Sequence, residues 1–377
     1  MTNLGYLYDD GQGVPQDYNK AREWYEKAVA AGEPGAMGNL GLMYYKGKGV
    51  PQDTQKAKEW LEKGAIAGDA GAMRNLGNLY SEGRGSPPDY QRAKEWWEKA
   101  AAAGDREAMV GLGDLYYRGH GVPQDYQKMR EWLEKAAAAG HTEAMRNLGV
   151  LSRDGQGVPQ DYGKAKDWFE KSASAGNAKA MTNLGGLYHE GQGVSQDYGR
   201  AKEWYEKAAS AGDLDGIFSL GSLYYQGQGV PQDYRRAREW YEKAAAAGVA
   251  DAMFNLGLVY AEGQGVPQDY QKARAWFEKA AAAGDADAQQ RLNTLPSAQP
   301  NPEAQSHYDL AVAADHQGDV DKAIAEYRKA IAADPNFAEA HFRLGRVLRD
   351  AGQEQAAAEQ FAAACALEPA NPQVCRK

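Results

Sequence analysis

The sequence predicts an all-α protein, a right-handed superhelical α/α solenoid of helix-turn-helix repeats. Three observations carry this. Tryptophan recurs every 36 residues, at Trp24, Trp60, Trp96, Trp132, Trp168, Trp204, Trp240 and Trp276, without insertion or deletion. Every 36-residue unit holds two apolar stripes of helical spacing and none of period two. A Gly-x-Gly pair separates the stripes in each unit. A fixed period of this length marks supersecondary units that bury their apolar faces against one another. The prediction is eight repeats over 1–288 with sixteen helices, a Pro-rich joint at 289–302, at least four more helices over 303–372, and a tail at 373–377. A stack of this kind presents an extended surface, so function is sought there before it is sought in a cleft.

One repeat shows the reason for each element. Asp69 precedes an Ala-rich apolar run and reads as the N-cap of the first helix (A), with Gly68 ending the helix before it. Helix A carries Ala72, Met73, Leu76, Gly77, Leu79 and Tyr80, one apolar stripe. Gly83-Arg84-Gly85 stops it, and both glycines recur in all eight repeats, as a fixed loop conformation requires. Val-Pro-Gln-Asp follows in most repeats, as in Val50-Pro51-Gln52-Asp53. Proline bars continuation and the aspartate is placed to cap the second helix (B). Repeat three has Ser86-Pro87-Pro88 here, and repeat six has Ser195 for the proline. Helix B carries Ala93, Trp96, Trp97 and Ala100. The pairs Glu23/Lys27, Glu59/Lys63, Glu95/Lys99 and Glu131/Lys135 stand at i, i+4 in the favourable order, a solvated face. The tryptophan row is expected to be core, filling gaps between closely spaced helices.

Composition narrows the function classes. The charged fraction of 25% and mean hydropathy of −0.71 leave no run long enough to span a membrane. Net charge is −9 with both signs interspersed, so no basic stripe points to nucleic acid. The two cysteines, Cys365 and Cys375, are expected as free thiols, with a bond pinning the tail as the alternative. Met1 falls in the repeat column of Met37, Met73, Met109, Met145, Met181 and Met253, so the chain opens inside a helix A. A start further upstream is therefore expected, and the compartment is cytoplasmic, or periplasmic or exterior if a signal sequence precedes Met1.

Read from Ala36-Met37-Gly38-Asn39-Leu40-Gly41 through Tyr44, Gly47, Gly49, Val50, Asp53, Lys56, Ala57 and Trp60, the repeat resembles the Sel-1-like repeat family over residues 1–288. Beyond Pro296–Pro302 the period becomes 34, in His307/His341, Leu310/Leu344, Gly318/Gly352, Ala323/Ala357, Tyr327/Phe361, Ala330/Ala364 and Pro335/Pro369. That part resembles two tetratricopeptide repeats. Tyr308 and Val312 occupy the first two positions of the family's clamp for acidic tails, which argues against that mode. The resemblance implies an α/α solenoid acting as an adaptor in signalling, protein quality control or bacterial host interaction. The alternative is a regulatory or docking portion of an enzyme, or an exported host-interaction factor.

Catalytic patterns do not assemble. No two of His120, His141, His189, His307, His316 and His341 stand at metal-ligand spacing, and His307 and His341 are expected in the core. The Gly-x-Gly pairs lack a third glycine and a preceding strand, so they are loops and not a dinucleotide fingerprint. No phosphate-loop, Gly-x-Ser-x-Gly or Ser-x-x-Lys motif occurs, so a β-lactamase-type label has no nucleophile behind it. Neither cofactor nor metal is expected.

Candidate binding residues come from columns of helix A. Two columns vary around the fixed glycine and share a face, being four apart. One reads Thr2, Gly38, Arg74, Val110, Arg146, Thr182, Phe218 and Phe254; the other reads Tyr6, Leu42, Asn78, Asp114, Val150, Gly186, Ser222 and Leu258. Variation there is read as release from packing, leaving a concave A-helix face for a protein or peptide partner. Phe218, Phe254 and Leu258 are expected as an exposed apolar patch. Two residues before the glycine stand Asn3, Asn39, Asn75, Asn147, Asn183 and Asn255, with Gly111 and Ser219 as exceptions. Asparagine is a poor mid-helix residue, so the row needs a reason. One is a ladder that pairs with the backbone of an extended peptide; the other is a bond to a neighbouring loop that fixes repeat geometry.

Overall fold

The computed structural model describes residues 1–84, 86–295 and 302–367, and among them every regular element is helical. The A helices are α1 (Thr2–Asp10), α3 (Pro34–Lys46), α5 (Ala70–Glu82), α7 (Arg106–Arg118), α9 (Thr142–Asp154), α11 (Ala178–Glu190), α13 (Leu214–Gln226) and α15 (Ala250–Glu262). The B helices are α2 (Tyr18–Ala30), α4 (Thr54–Ile66), α6 (Tyr90–Ala102), α8 (Tyr126–Ala138), α10 (Tyr162–Ser174), α12 (Tyr198–Ser210), α14 (Tyr234–Ala246) and α16 (Tyr270–Ala282). They are followed by α17 (Ala286–Thr294), α18 (Pro302–His316), α19 (Val320–Ala333), α20 (Ala338–Asp350) and α21 (Glu354–Leu367). The chain divides into two compact units, Met1–Trp204 and Tyr205–Lys377.

Local chemistry sets the helix ends. The aspartates before α2, α4, α6, α8, α10, α14 and α16 accept backbone N–H bonds in the first turn of each helix. Four of the eight A helices are capped by Asp69, Asp105, Asn177 or Asp213. Glu33 and Val249 make no side-chain cap, and His141 caps α9 through Nδ1, 3.0 Å from the Ala144 N–H. The first glycine of each loop is left-handed, as Gly47 at φ +70°. At Gly49, Gly121, Gly157, Gly193 and Gly265 the second meets the tyrosine that opens the preceding helix B: a Cβ at Gly121 would lie 2.7 Å from that of Tyr90. Gln16, Gln52, Gln124, Gln160, Gln196, Gln232 and Gln268 then lock the loop, each Nε2 donating to a carbonyl at the end of helix A at 2.7–2.9 Å.

Three expectations change. The tryptophan row is only half-buried; the core side chain of helix B is the next residue, Tyr25, Leu61, Trp97, Leu133, Phe169, Tyr205, Tyr241 or Phe277. One step along a helix is about 100° of rotation, which carries Trp96 to the rim and Trp97 inward. The lysines expected to pair with glutamates four residues earlier lie instead over the indoles. Lys27, Lys63, Lys99 and Lys135 sit 4.6, 4.4, 4.1 and 4.0 Å from the rings of Trp24, Trp60, Trp96 and Trp132. The ion pairs run in the other order, as in Lys94–Glu98 at 2.7 Å and Arg130–Glu134 at 3.3 Å. Finally, Cys365 is disulfide-bonded and not a free thiol; Cys375 lies outside the described residues.

In the second unit, α17 brings Ala288, Leu292 and Leu295 onto the core of α15 and α16. Residues 289–294, read from sequence as part of the joint, are therefore helical. The core of α18–α21 centres on Tyr327, Leu344 and Leu348. His307 Nδ1 lies 2.7 Å from Glu326 Oε2, and His341 Nδ1 lies 2.7 Å from Gln360 Oε1. Both imidazoles join the A helix of their pair to its B helix.

Candidate functional site

The fixed glycine of helix A exists because the core side chain of helix B lies on it, a ring in six repeats and a leucine in two. A Cβ at Gly5, Gly77, Gly149, Gly221 or Gly257 would stand 2.5–2.6 Å from Tyr25, Trp97, Phe169, Tyr241 or Phe277 respectively. With backbone against ring, the two helices close up and leave the neighbouring A-helix positions as the outer face.

Apart from Tyr6 and Asp114, which are exposed, the two variable columns are not released from packing. In the first, Thr2 Oγ1 donates to Glu33 at 2.6 Å and Arg74 Nη1 to Asp105 at 2.9 Å, so both grip the residue that opens the next helix A. Arg146 turns onto Glu143, 2.8 Å from Nε, and its Nη2 donates to Asn147 Oδ1 at 2.9 Å. Glu143 also accepts from Asn177 at 2.9 Å, and its carboxyl is held below the usual range by those donors against the opposing effect of burial. The second column follows the polarity of the ring beneath it. Asn78 accepts from Trp97 Nε1 at 2.9 Å, and Ser222 accepts from the Tyr241 hydroxyl at 3.3 Å. Val150 and Leu258 stand in the same register to Phe169 and Phe277.

Phe218 and Phe254 are corrections of the same kind. Neither is exposed: their rings lie 5.6 and 5.4 Å from those of Tyr241 and Phe277, and Leu258 packs half-buried beside Phe254. They complete the cores of repeats seven and eight instead of forming an open patch.

Repeat four breaks the pattern. Its ring position is Leu133, and the acidic Asp114 stands in the register that pairs with it. Asp114 turns outward to Arg118 Nε, 2.9 Å from both carboxylate oxygens. A Cβ at Gly113 would meet Leu133 only at 3.4 Å, so the close contact of the other repeats is relaxed. A cavity of about 380 Å³ opens there, lined by Val110, Gly113, Asp114, Tyr117, Met129, Leu133, Asn147, Val150, Leu151 and Gln156. Two of its floor residues went unnoticed in the sequence although each carried a signal. Leu133 stands where six of the eight repeats have an aromatic at the same spacing from a neighbouring glycine, and Met129 stands in a column that is otherwise alanine.

The asparagine row divides into two groups. Asn39, Asn75 and Asn183 are half-buried, and none has a hydrogen-bond partner among the described residues. Asn147 uses its oxygen for Arg146, and Asn255 hydrogen-bonds the Tyr241 hydroxyl. The gap at Gly111 has a steric reason, since a Cβ there would lie 3.2 Å from the Trp97 ring. Asn39, Asn75, Asn147 and Asn183 belong to the first unit and Asn255 to the second. Among the described residues, no group of three or more His, Cys, Asp or Glu could hold a metal ion, and no helix is long and apolar enough to cross a membrane.

Comparison with known proteins fits this geometry. The Sel1 repeat model matches eight times, at residues 1–33, 34–69, 70–105, 106–141, 142–177, 178–213, 214–249 and 250–285. Tetratricopeptide repeat models match 316–348 and 338–371. Among curated proteins, none matches the chain by sequence. A protective antigen present in uropathogenic Escherichia coli strains, displaying an SLR fold, superposes with a TM-score of 0.64 and 32% identity, covering 97% of this chain and 75% of that one. A Sel1 repeat protein from Oxalobacter formigenes gives 0.58 and 33%, over 66% of this chain and 100% of its own. With eight repeat matches end to end and a tetratricopeptide pair behind them, the chain belongs to the Sel1 repeat family.

Proposed function

We propose that the protein is a non-catalytic scaffold that binds an extended segment of a partner protein along the A-helix face. The carboxamides of Asn39, Asn75, Asn147 and Asn183 would pair with the segment's backbone. The observation that carries this reading is the state of Asn39, Asn75 and Asn183: half-buried, mid-helix and without a partner among the described residues. None of their carboxamide atoms is sealed from solvent, so a peptide unit can take the place of the water that each would otherwise bond. A carboxamide can both donate to and accept from a peptide unit, so such a row grips main chain without reading sequence. Arg74 and Arg146, which grip their own fold, would shape the walls rather than contact the partner. A role in host interaction is the second reading, favoured by the antigen from Escherichia coli, and it would use the same face.

The test is display selection of random twelve-residue peptides on the full chain, followed by affinity measurement on Asn75→Ala and Asn183→Ala. Each substitution is expected to weaken every selected peptide about tenfold, roughly 1.4 kcal/mol, with the melting temperature unchanged. Unchanged affinity, or a large loss of stability in either variant, would show that the row only fixes repeat geometry.

A further inference from the structure

We infer that the cavity between α7 and α9 is a specificity pocket that takes one large, uncharged apolar side chain from the bound segment. This rests on the scaffold reading above and adds a sequence preference to it. The floor is apolar, with Met129 and Leu133 both buried and Val110 and Val150 forming the walls. Its volume of about 380 Å³ lies at the small end of the roughly 300–1,000 Å³ typical of ligand pockets.

Charge complementarity selects the occupant. The charged residue of the lining, Asp114, is already matched within the fold by Arg118, and Arg146, next to Asn147 in sequence, is matched by Glu143. The polar groups without partners among the described residues are neutral: the Asn147 amide nitrogen, the Gln156 side chain and the Tyr117 hydroxyl. A charged side chain entering here would lose hydration and find no counter-ion. An apolar side chain loses nothing, while Asn147 and Gln156 at the rim can bond the peptide units on either side of it. The pocket also lies at the one repeat in the first unit where a polar column residue stands over an apolar core position. In repeats three and five the same register is matched, Asn78 with Trp97 and Val150 with Phe169.

Leu133→Phe closes the pocket with a side chain that the fold already accepts, because Phe169 and Phe277 lie on Gly149 and Gly257 in the equivalent place. Val150→Trp blocks it from the mouth should the first variant misfold, and thermal melting reports which variants are intact. Peptides selected on the full chain from the random twelve-residue library serve as probes. They should share one position occupied by Leu, Met, Phe or Trp. Changing that residue to Lys should weaken binding at least thirtyfold, and Leu133→Phe should weaken it at least tenfold. Asn183→Ala should lower affinity and leave the apolar preference intact. Equal binding to the full chain and to both pocket variants would overturn the pocket and leave the scaffold standing. Failure to select any peptide would overturn the scaffold reading and the pocket with it. If the free chain sediments as a dimer and Leu133→Phe as a monomer, the occupant is a second copy of the chain and the inference is wrong.

Discussion

Gly149→Ala and Gly113→Ala are the same substitution in the same column, and the structure assigns them opposite signs. Alanine in place of glycine in a helix interior is worth about 0.8–1 kcal/mol of intrinsic propensity. At Gly113 nothing opposes that gain. The new Cβ would meet Leu133 at 3.4 Å and the Met129 carbonyl at 3.5 Å, ordinary contacts, so a stabilisation of about 0.5–1 kcal/mol is expected. At Gly149 it would stand 2.5 Å from Cε1 and 2.6 Å from Cδ1 of Phe169. That ring is fully buried and cannot turn aside without moving α10. Overpacking of this kind costs about 1–3 kcal/mol, which leaves a net loss of about 0–2 kcal/mol after the propensity gain. Adding Phe169→Leu together with Ala165→Met reproduces the side chains of repeat four, so the triple variant should recover roughly 1 kcal/mol relative to the sum of the singles. Guanidinium unfolding followed by far-ultraviolet dichroism measures the totals. Amide exchange on α9 and α10 gives the local value, because a repeat array opens unit by unit. If Gly113→Ala destabilises as much as Gly149→Ala, the ring does not explain the glycine column.

Three further outcomes are expected. Trp97→Ala should cost about 3–5 kcal/mol and Trp96→Ala only about 1–2 kcal/mol, since Trp97 is 8% exposed and Trp96 is half-buried under Lys99; denaturant unfolding of the two variants compares them. Arg74→Ala should lower stability by about 1–2 kcal/mol, because Asp105 is left with only its cap bond to the Ala108 N–H, and should leave peptide affinity unchanged. The Tyr241 hydroxyl is pushed up to about 12 by burial, against the opposing hydrogen bonds of Ser222 and Asn255. A raised folded-state value means that the stabilising contribution is complete below the phenol's ordinary value of about 10 and is lost as pH rises through about 12. Melting temperature across that window should therefore fall less steeply in Tyr241→Phe than in the parent chain.

Caps, turns and the repeat period, which depend on neighbours along the chain, were legible in the sequence, whereas the local stacking of Lys99 on Trp96 was not. The 36-residue period, the Asp17- and Asp53-type caps, and the left-handed glycines such as Gly47 follow from groups within a few residues of one another, and each is present where it was read. The asparagine row and the variable columns were also visible, because identical spacing puts identical positions on one face. What those positions touch was not visible. Arg74 looked free until the next repeat's Asp105 came beside it, and Phe218 looked exposed until Tyr241 packed on it. Tertiary packing alone chose Trp97 over Trp96 for the core, since 100° of rotation separates neighbours that a helical pattern scores alike. It also left a cavity where Leu133 fails to fill the space that a ring fills in six of the repeats. The physical reason is common to all of these. Caps and turns are settled by the chain's own geometry, whereas side-chain partners are settled by which helices approach, and that approach is decided only when the repeats stack.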